Sequence, residues 1–218
     1  MKCRLLVCGM KTKLYPTRIG LAFLDALAII LAIGLLVLVF FSGGSQIEVI
    51  PAKKRVTHST IIAIESALER YYEKHGEYPS PVNPDEIIEI TPGNFYRVGA
   101  AKCLYQATRG DGVDAVKAAE PPVDVPAASN GTFESGELAQ VIFKDMPQSM
   151  WRELNGHFFL VDGYGRPIQY VRADPAAKNT RNTTFDLWSF GEDDAHPQAT
   201  SLETVQNPSV GAKWIKNW

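Results

Sequence analysis

Three consecutive acidic residues near the C-terminus are the clearest candidates for chemistry in this 218-residue chain. Glu192, Asp193 and Asp194 supply hard carboxylate oxygens, and Ca²⁺ binds about six to eight oxygens at once. A backbone carbonyl near Leu187 and the hydroxyl of Ser189 are near enough along the chain to complete such a site. A solvated acidic turn explains the same residues, so the sequence leaves a calcium loop and a simple turn both open.

Residue types that hydrolases use are present, but they do not form a catalytic pattern. His157, Asp162 and Ser189 suggest a triad, and the neighbouring acids of the acidic turn suggest a carboxylate pair. The chain has no G-x-S-x-G motif, and no nucleophile is placed beside a base. Its histidines are scattered without ligand spacing, at positions His58, His75, His157 and His196. The sequence therefore predicts a protein that is not an enzyme.

One further acid, Asp25, lies inside a long apolar run at residues 21–41. As a helix this run would be roughly 30 Å long, which is about the thickness of the hydrocarbon core of a bilayer. A carboxylate at this depth costs about 3 kcal/mol, so we expect it to be paired and functional. We predict a transmembrane helix over residues 21–42.

The segment before this run, residues 1–20, contains five basic residues and no acid: Lys2, Arg4, Lys11, Lys13 and Arg18. Such an excess of positive charge predicts a cytoplasmic N-terminus, with the remainder of the chain exported. A cleaved secretory signal has an apolar region of only about 7 to 15 residues that ends at a small-residue site. A plain signal anchor remains an alternative.

Charge and cysteine content constrain the exported part. The whole chain has a formal net charge of −2, and without the five leader bases it has 17 bases and 24 acids, a balance of −7. An acidic domain of this kind is a poor partner for nucleic acid. Cys3 and Cys8 belong to the leader, so Cys103 would remain alone and no internal disulfide could form.

A second helix is predicted after the apolar run. Glycines at residues 43 and 44 weaken helix by about 1 kcal/mol each, which indicates a hinge over 43–50. Pro51 suits the start of a new helix over 52–75, and Gly76 suits its end. Its apolar residues recur at helical spacing on one side: Ile61, Ile64, Leu68 and Tyr71.

The remaining segments predict a small antiparallel sheet. Ile87 to Ile90 suits a helical turn or a strand, and short strands are expected at 96–98 and 102–106. The stretch 131–150 is amphipathic. Alternating apolar residues predict strands at 158–161, 167–171 and 184–190, the last two forming a hairpin with a long connection. The expected fold class is therefore α+β, with a helix packed on a small antiparallel sheet.

The N-terminal pattern resembles a known export signal. A basic leader, Gly20, the apolar residue Leu21 and an acid at the fifth position after Gly20 are similar to the type III signal of type IV pilins and type II secretion pseudopilins. The resemblance implies that a prepilin peptidase cleaves after Gly20 and that Leu21 becomes the N-methylated first residue. Asp25 stands where the family usually has glutamate and is implied to act in assembly.

Two further regions resemble the G-type pseudopilins in particular. The end of the predicted helix matches through Ala67, Leu68, Tyr71, Tyr72, Gly76, Tyr78 and Pro79. The C-terminal part resembles the family's aspartate-x-tryptophan-glycine-x-proline turn and the following strand through Asp162, Gly163, Tyr164, Gly165, Pro167 and Trp188. Ile215, Asn217 and Trp218 resemble the family's ending. The segment 94–150 is longer than the connection usual in that family and resembles a variable insertion.

The resemblance implies a pilin-like subunit: a long N-terminal helix whose first half spans the inner membrane, and a head at 51–218 in the periplasm. Its implied partners are further copies in a helical filament, other pseudopilins, inner-membrane assembly proteins and the peptidase. In this family the loop after the strand binds calcium, with Asp193 in the position of the first ligand. Residues 208–213, before Trp214, lack the family's second pair of acids.

Overall fold

The structure is a computed structural model, which describes residues 26–33, 51–118 and 124–218. The chain divides into two compact units, residues 1–49 and 50–218. In the first unit, the described residues are helical and their side chains are exposed. The second unit contains every strand that the structure describes, and we call it the head.

The predicted membrane features lie mainly outside the described residues. Gly20, Leu21, Asp25 and the hinge at 43–50 are all outside them, as is most of the predicted span. Within the ranges that are described, no helix combines the length and the apolar character needed to cross a membrane. The leader, the span and the hinge therefore stay predictions.

The first helix of the head, α1, covers Ala52–His75, the bounds predicted from the sequence. It begins after Pro51 and ends at Gly76, which adopts the left-handed conformation (φ 77°) and donates its N–H to the carbonyl of Tyr72. Three of the four residues of the predicted stripe, Ile61, Ile64 and Leu68, are buried, and the fourth, Tyr71, is half-buried.

Among the described residues, seven strands form three small antiparallel sheets. The first sheet is a hairpin of β1 (Ile87–Thr91) and β2 (Asn94–Arg97), and the second is a hairpin of β3 (Trp151–Leu154) and β4 (His157–Leu160). The third contains β5 (Gln169–Arg172), β6 (Phe185–Ser189) and β7 (Ile215–Lys216), in the order β5-β6-β7. The α+β class and the hairpin with a long connection are confirmed.

The segment after β2 differs from the prediction. Residues 102–106 belong to helix α2 (Gly99–Arg109) rather than to a strand, so that prediction is wrong. Leu104 and Tyr105 of α2 are fully buried and belong to the same core cluster as Ile64 of α1. Part of the segment expected to be an insertion is thus core, because α2 packs against α1, β4 and β5.

Buried carboxylates connect α2 to the polypeptide that follows it. The Asp111 carboxylate accepts hydrogen bonds from the hydroxyl of Tyr105 (2.7 Å) and the backbone N–H of Asn130 (2.9 Å). The Glu137 carboxylate accepts one from the N–H of Gly112 (2.8 Å). The amphipathic stretch 131–150 contains two short 3₁₀ helices, Glu137–Ala139 and Gln148–Met150.

A cluster of aromatic side chains forms the part of the core next to β6. Trp188 stacks on Trp214, with ring centroids 5.7 Å apart and planes at 10°. Phe190 meets the same Trp214 ring edge-on at 5.2 Å. The end of β6 is therefore held against the C-terminal segment, which also includes the short helix α3 (Glu203–Gln206).

Candidate functional site

The residues singled out in the C-terminal part meet around one tight turn, residues 162–167, which we call the Asp162 turn. The Asp162 carboxylate accepts hydrogen bonds from the backbone N–H groups of Tyr164 (2.8 Å) and Arg166 (2.9 Å). Gly165 donates its N–H to the Asp162 carbonyl at 2.9 Å and has φ 78°, a conformation that favours glycine. The aspartate therefore shapes the turn that follows it.

The turn is joined to the end of β6 through the same carboxylate. The Ser189 hydroxyl donates a hydrogen bond to Asp162 Oδ2, and the Gly191 N–H donates to Ser189 Oγ at 2.9 Å. Asp162 is only 2% exposed and Ser189 is fully buried. Burial raises the pKa of Asp162, while the hydrogen bonds from Ser189 and Arg166 oppose that rise. The Ser189 hydroxyl therefore has a structural role: it joins the end of β6 to the Asp162 turn, with the Asp162 carboxylate as its acceptor.

The turn is also joined to the first turns of α1. The backbone N–H of Gly163 donates to the Thr57 hydroxyl oxygen (3.0 Å), which in turn donates to the Lys53 carbonyl (2.8 Å). Thr57 is fully buried. This contact explains the polar residue on the packed side of the helix, because the Thr57 hydroxyl is the acceptor for a partly buried N–H group. The Asp162 turn is therefore seated where the head's long helix begins.

Replacing Gly163 with alanine is expected to destabilise the head by about 2 kcal/mol. A β-carbon at this position would lie 2.4 Å from the Lys53 carbonyl oxygen and 3.1 Å from Thr57 Oγ1, so the turn and the helix would have to separate. The matched control is Gly165→Ala, where a β-carbon meets no atom within 4 Å and only the positive φ is unfavourable, at about 1 kcal/mol. Urea unfolding measures both; a larger loss for Gly165→Ala would contradict the contact.

The acidic loop, residues 191–194, lies against the side chain of Arg166. The guanidinium donates to the carbonyl oxygens of Gly191 (2.6 Å) and Asp193 (3.1 Å), and it forms an ion pair with Asp194. Glu192 accepts a hydrogen bond from the Tyr164 hydroxyl at 3.3 Å. The Asp162 turn and the acidic loop are thereby joined by side chains from both.

Asp193 is the buried member of the acidic loop, at 6% exposure. Its carboxylate accepts hydrogen bonds from the indole N–H of Trp214 (3.0 Å) and the backbone N–H of Ala195 (3.0 Å), and His196 Nδ1 lies 3.0 Å from Oδ2. Burial acts to raise the pKa of Asp193, but these hydrogen bonds outweigh it and the pKa is lowered overall. The carboxylate therefore fixes the loop to the aromatic cluster.

The predicted calcium ligands have protein partners of their own. The Leu187 carbonyl accepts the N–H of Asn217 at 3.1 Å, the Ser189 hydroxyl bonds to Asp162, and Asp194 faces Arg166. In the described part of the chain, no three side chains of His, Cys, Asp or Glu are grouped as a metal would require. As placed, this donor set does not fit a calcium ion, which would have to displace N–H donors and a guanidinium cation.

The three residues considered as a triad are not connected as one. The Ser189 hydroxyl bonds directly to Asp162, while His157 on β4 has its Nδ1 3.5 Å from Glu86. In a Ser-His-Asp triad the histidine bonds the nucleophile and the aspartate bonds the histidine, and here the serine bonds the aspartate directly. The arrangement is typical of a packed structural junction.

Sequence reasoning assigned no role to Arg166, His196 or Trp214, although all three hold the site. One signal was available: an arginine inside a glycine-rich turn, followed by an acidic loop of opposite charge. The approach of Trp214 to Asp193 joins positions 21 residues apart and has no local signal.

The sequence matches no protein-family model, no curated protein and no solved structure. The resemblance to pseudopilins therefore rests on the sequence motifs described above.

Proposed function

We propose that this chain is a structural subunit of a type II secretion pseudopilus, most like the major G-type subunit. In this proposal Leu21 is the first mature residue, the span at 21–42 anchors the subunit in the inner membrane, and the head lies in the periplasm. α1 is the exported half of a long N-terminal helix, which makes the fold pilin-like. The filament would drive folded proteins across the outer membrane.

The observation that carries this proposal is the meeting of three distant motif segments in the head. Tyr170, which closes the motif that begins at Asp162, donates its hydroxyl to the carbonyl of Pro79 in the helix motif (2.8 Å), and Asp162 itself contacts the end of β6 through Ser189. All three segments resemble the same family in sequence. If the three segments share one structural role, they should contact one another in the folded head. If their resemblance to the family were a chance match of short patterns, there would be no reason to expect that contact.

Assembly would follow from repetition of one contact. Identical subunits that join through two different surfaces form a helical filament when the contact does not close into a ring. Apolar spans pack in the filament centre through van der Waals contacts, where a pair between Asp25 and the Leu21 amine of a neighbour would set the register. Other pseudopilins, assembly proteins of the inner membrane and the prepilin peptidase complete the set of partners.

A minor pseudopilin or a type IV pilin is the nearest alternative. The observation that favours it is helix α2, since the long segment at 94–150 contributes buried residues such as Leu104 to the core. A subunit that starts or caps a filament would use the same signal and the same anchor, so this alternative changes the place in the filament and not the mode of assembly.

A signal-anchored binding domain is the alternative from another class. It is favoured by a cavity of about 210 Å³ beside Tyr71, His75 and Gln106. Burial lowers the pKa of His75, which keeps its imidazole neutral over a wider pH range. Small-molecule sites are commonly about 300 to 1,000 Å³, so the cavity would take only a small ligand.

The mature N-terminus separates these classes. We expect the intact mass and N-terminal peptide of the protein from its host's membranes to show a chain that begins at Leu21 and carries one additional methyl group. A chain that still begins at Met1 would overturn the pseudopilin proposal and leave an anchored domain.

A further inference from the structure

The acidic loop, residues 191–194, places its oxygens around a cation that the protein itself supplies. The Arg166 guanidinium meets the carbonyl oxygens of Gly191 (2.6 Å) and Asp193 (3.1 Å) and the carboxylate of Asp194. Backbone carbonyls and carboxylates are also the oxygen types that Ca²⁺ takes in proteins. The loop thus offers a set of cation ligands, and the Arg166 guanidinium already occupies them.

The position of Arg166 is fixed both at its backbone and at its guanidinium group. Its backbone N–H donates to the Asp162 carboxylate at 2.9 Å, and its carbonyl accepts the Asp162 N–H at 2.9 Å, so the turn fixes the point from which the side chain starts. The side chain is 15% exposed, whereas that of its partner Asp194 is 80% exposed. The loop covers the guanidinium, and the contact is more than a surface ion pair.

A second positive ion would find few free oxygens beside it. The Asp193 carboxylate already receives Trp214 and Ala195, and the Ser189 oxygen receives the N–H of Gly191. A divalent ion would also lie next to the positively charged guanidinium and be repelled by it. Both the donor set and the charge therefore oppose metal binding.

We propose that Arg166 is the resident cation of the acidic loop, and that the loop keeps its conformation without a divalent metal. The planar guanidinium bridges two carbonyls and a carboxylate at once, since it presents several donors in a fixed fork. The inference concerns the head alone and goes beyond filament formation, because it holds whether or not the chain assembles.

The first test is the calcium response of the wild-type full chain in detergent. Thermal unfolding, followed by tryptophan fluorescence, is compared in EGTA and in calcium chloride at millimolar concentration, the range of weak extracellular sites. We expect the same Tm in both, and no saturable heat in a calcium titration. A Tm that rises with calcium and falls again with EGTA would overturn the proposal.

The second test replaces the cation. Arg166→Gln is expected to lower the Tm by roughly 5 °C, and Arg166→Lys, which keeps the charge and loses the fork, is expected to lower it nearly as far. The matched control is Arg172→Ala, since Arg172 also pairs with a carboxylate, Glu77, but at a half-exposed position, and should change the Tm little. An unchanged Tm for Arg166→Gln would overturn the proposal even if calcium has no effect on the wild type.

Discussion

Replacing Asp162 with alanine is expected to lower the free energy of unfolding of the head by about 4 kcal/mol, since three donors lose one shared, buried acceptor together. The carboxylate serves the N–H groups of Tyr164 and Arg166 and the hydroxyl of Ser189. Alanine would remove the acceptor of all three groups, and the Ser189 hydroxyl among them is fully buried. Urea unfolding at neutral pH measures the loss.

The matched variant is Asp162→Asn. Its amide oxygen can still accept from the N–H groups of Tyr164 and Arg166, and its amide nitrogen faces Ser189, whose hydroxyl can turn to accept a hydrogen bond. We expect this variant to lose only about 1 kcal/mol. If asparagine costs as much as alanine, the carboxylate acts through its charge and not through the geometry of the turn.

The difference in stability between the wild type and Asp162→Asn is predicted to depend on pH. Burial raises the pKa of Asp162 above its unfolded value of about 4, so the native state holds the proton more tightly than the unfolded chain does. The contribution of Asp162 to stability is therefore complete below the unfolded pKa and declines as the pH rises through the folded pKa. Relative to Asp162→Asn, the wild type should be most stable in acid; a difference that grows towards neutral pH would contradict the assignment.

Replacing Asp25 with alanine is expected to abolish filaments while export and cleavage continue. A lone carboxylate about one turn into the bilayer costs about 3 kcal/mol, so a subunit that keeps it needs a partner for it. In the proposed filament that partner is the Leu21 amine of a neighbouring subunit. The expected result is a processed protein in the membrane, seen by N-terminal sequencing, with no sheared or cross-linked filaments.

Asp25→Glu is the control for this experiment. Glutamate keeps the charge and adds one methylene, and it is the residue that the resembled family usually has at this position, so filaments should form. Normal filament abundance from the alanine variant would remove the pairing role. Loss of filaments from both variants would mean that this position tolerates only the length of aspartate.

Local signals predicted the parts of the head that depend on local physics. The bounds of α1 follow from Pro51 at its start and Gly76 at its end, where only a residue that tolerates positive φ fits well. Strand β6 follows from the alternation of its apolar residues, although every one of its residues is buried in the structure. The turn at Asp162 is also predicted locally, because an aspartate side chain commonly accepts a hydrogen bond from the backbone N–H two residues later.

Helix α2 was missed for a physical reason. Its packed surface includes two polar residues, Gln106 and Thr108, which are buried because the protein satisfies them: Gln106 bonds to Asp114 and Ser129, and the Thr108 hydroxyl bonds to the Leu104 carbonyl. Polar residues on the packed side blur the apolar period. The alanines of the segment and the glycine at 110 favour a helix that ends at the glycine. They lie outside residues 102–106, the stretch that was predicted to be a strand.

The site itself could be predicted only in part. The sequence places Ser189, Asp193 and Asp194 in one loop region, but it does not say which cation they face. Arg166 reaches the Asp194 carboxylate across 28 positions, and that distance is closed only by the packing of the turn against β6. Contacts that depend on the completed tertiary fold have no periodic or local signature in the chain.

The last strand of the head imposes an order on biosynthesis. β7 lies beside β6 and against α1, and Asn217 brackets Leu187 by accepting its N–H at 2.9 Å and donating to its carbonyl at 3.1 Å. These contacts join the two ends of the head, and closing so long a loop is slow because its entropy is lost before the contacts form. The apolar stripe of α1 is therefore incompletely covered until the residues of β7 have been synthesised and have reached the sheet. A head that lacks β7 would leave part of that stripe open to proteases, so folding of the head is complete only once β7 has joined the sheet.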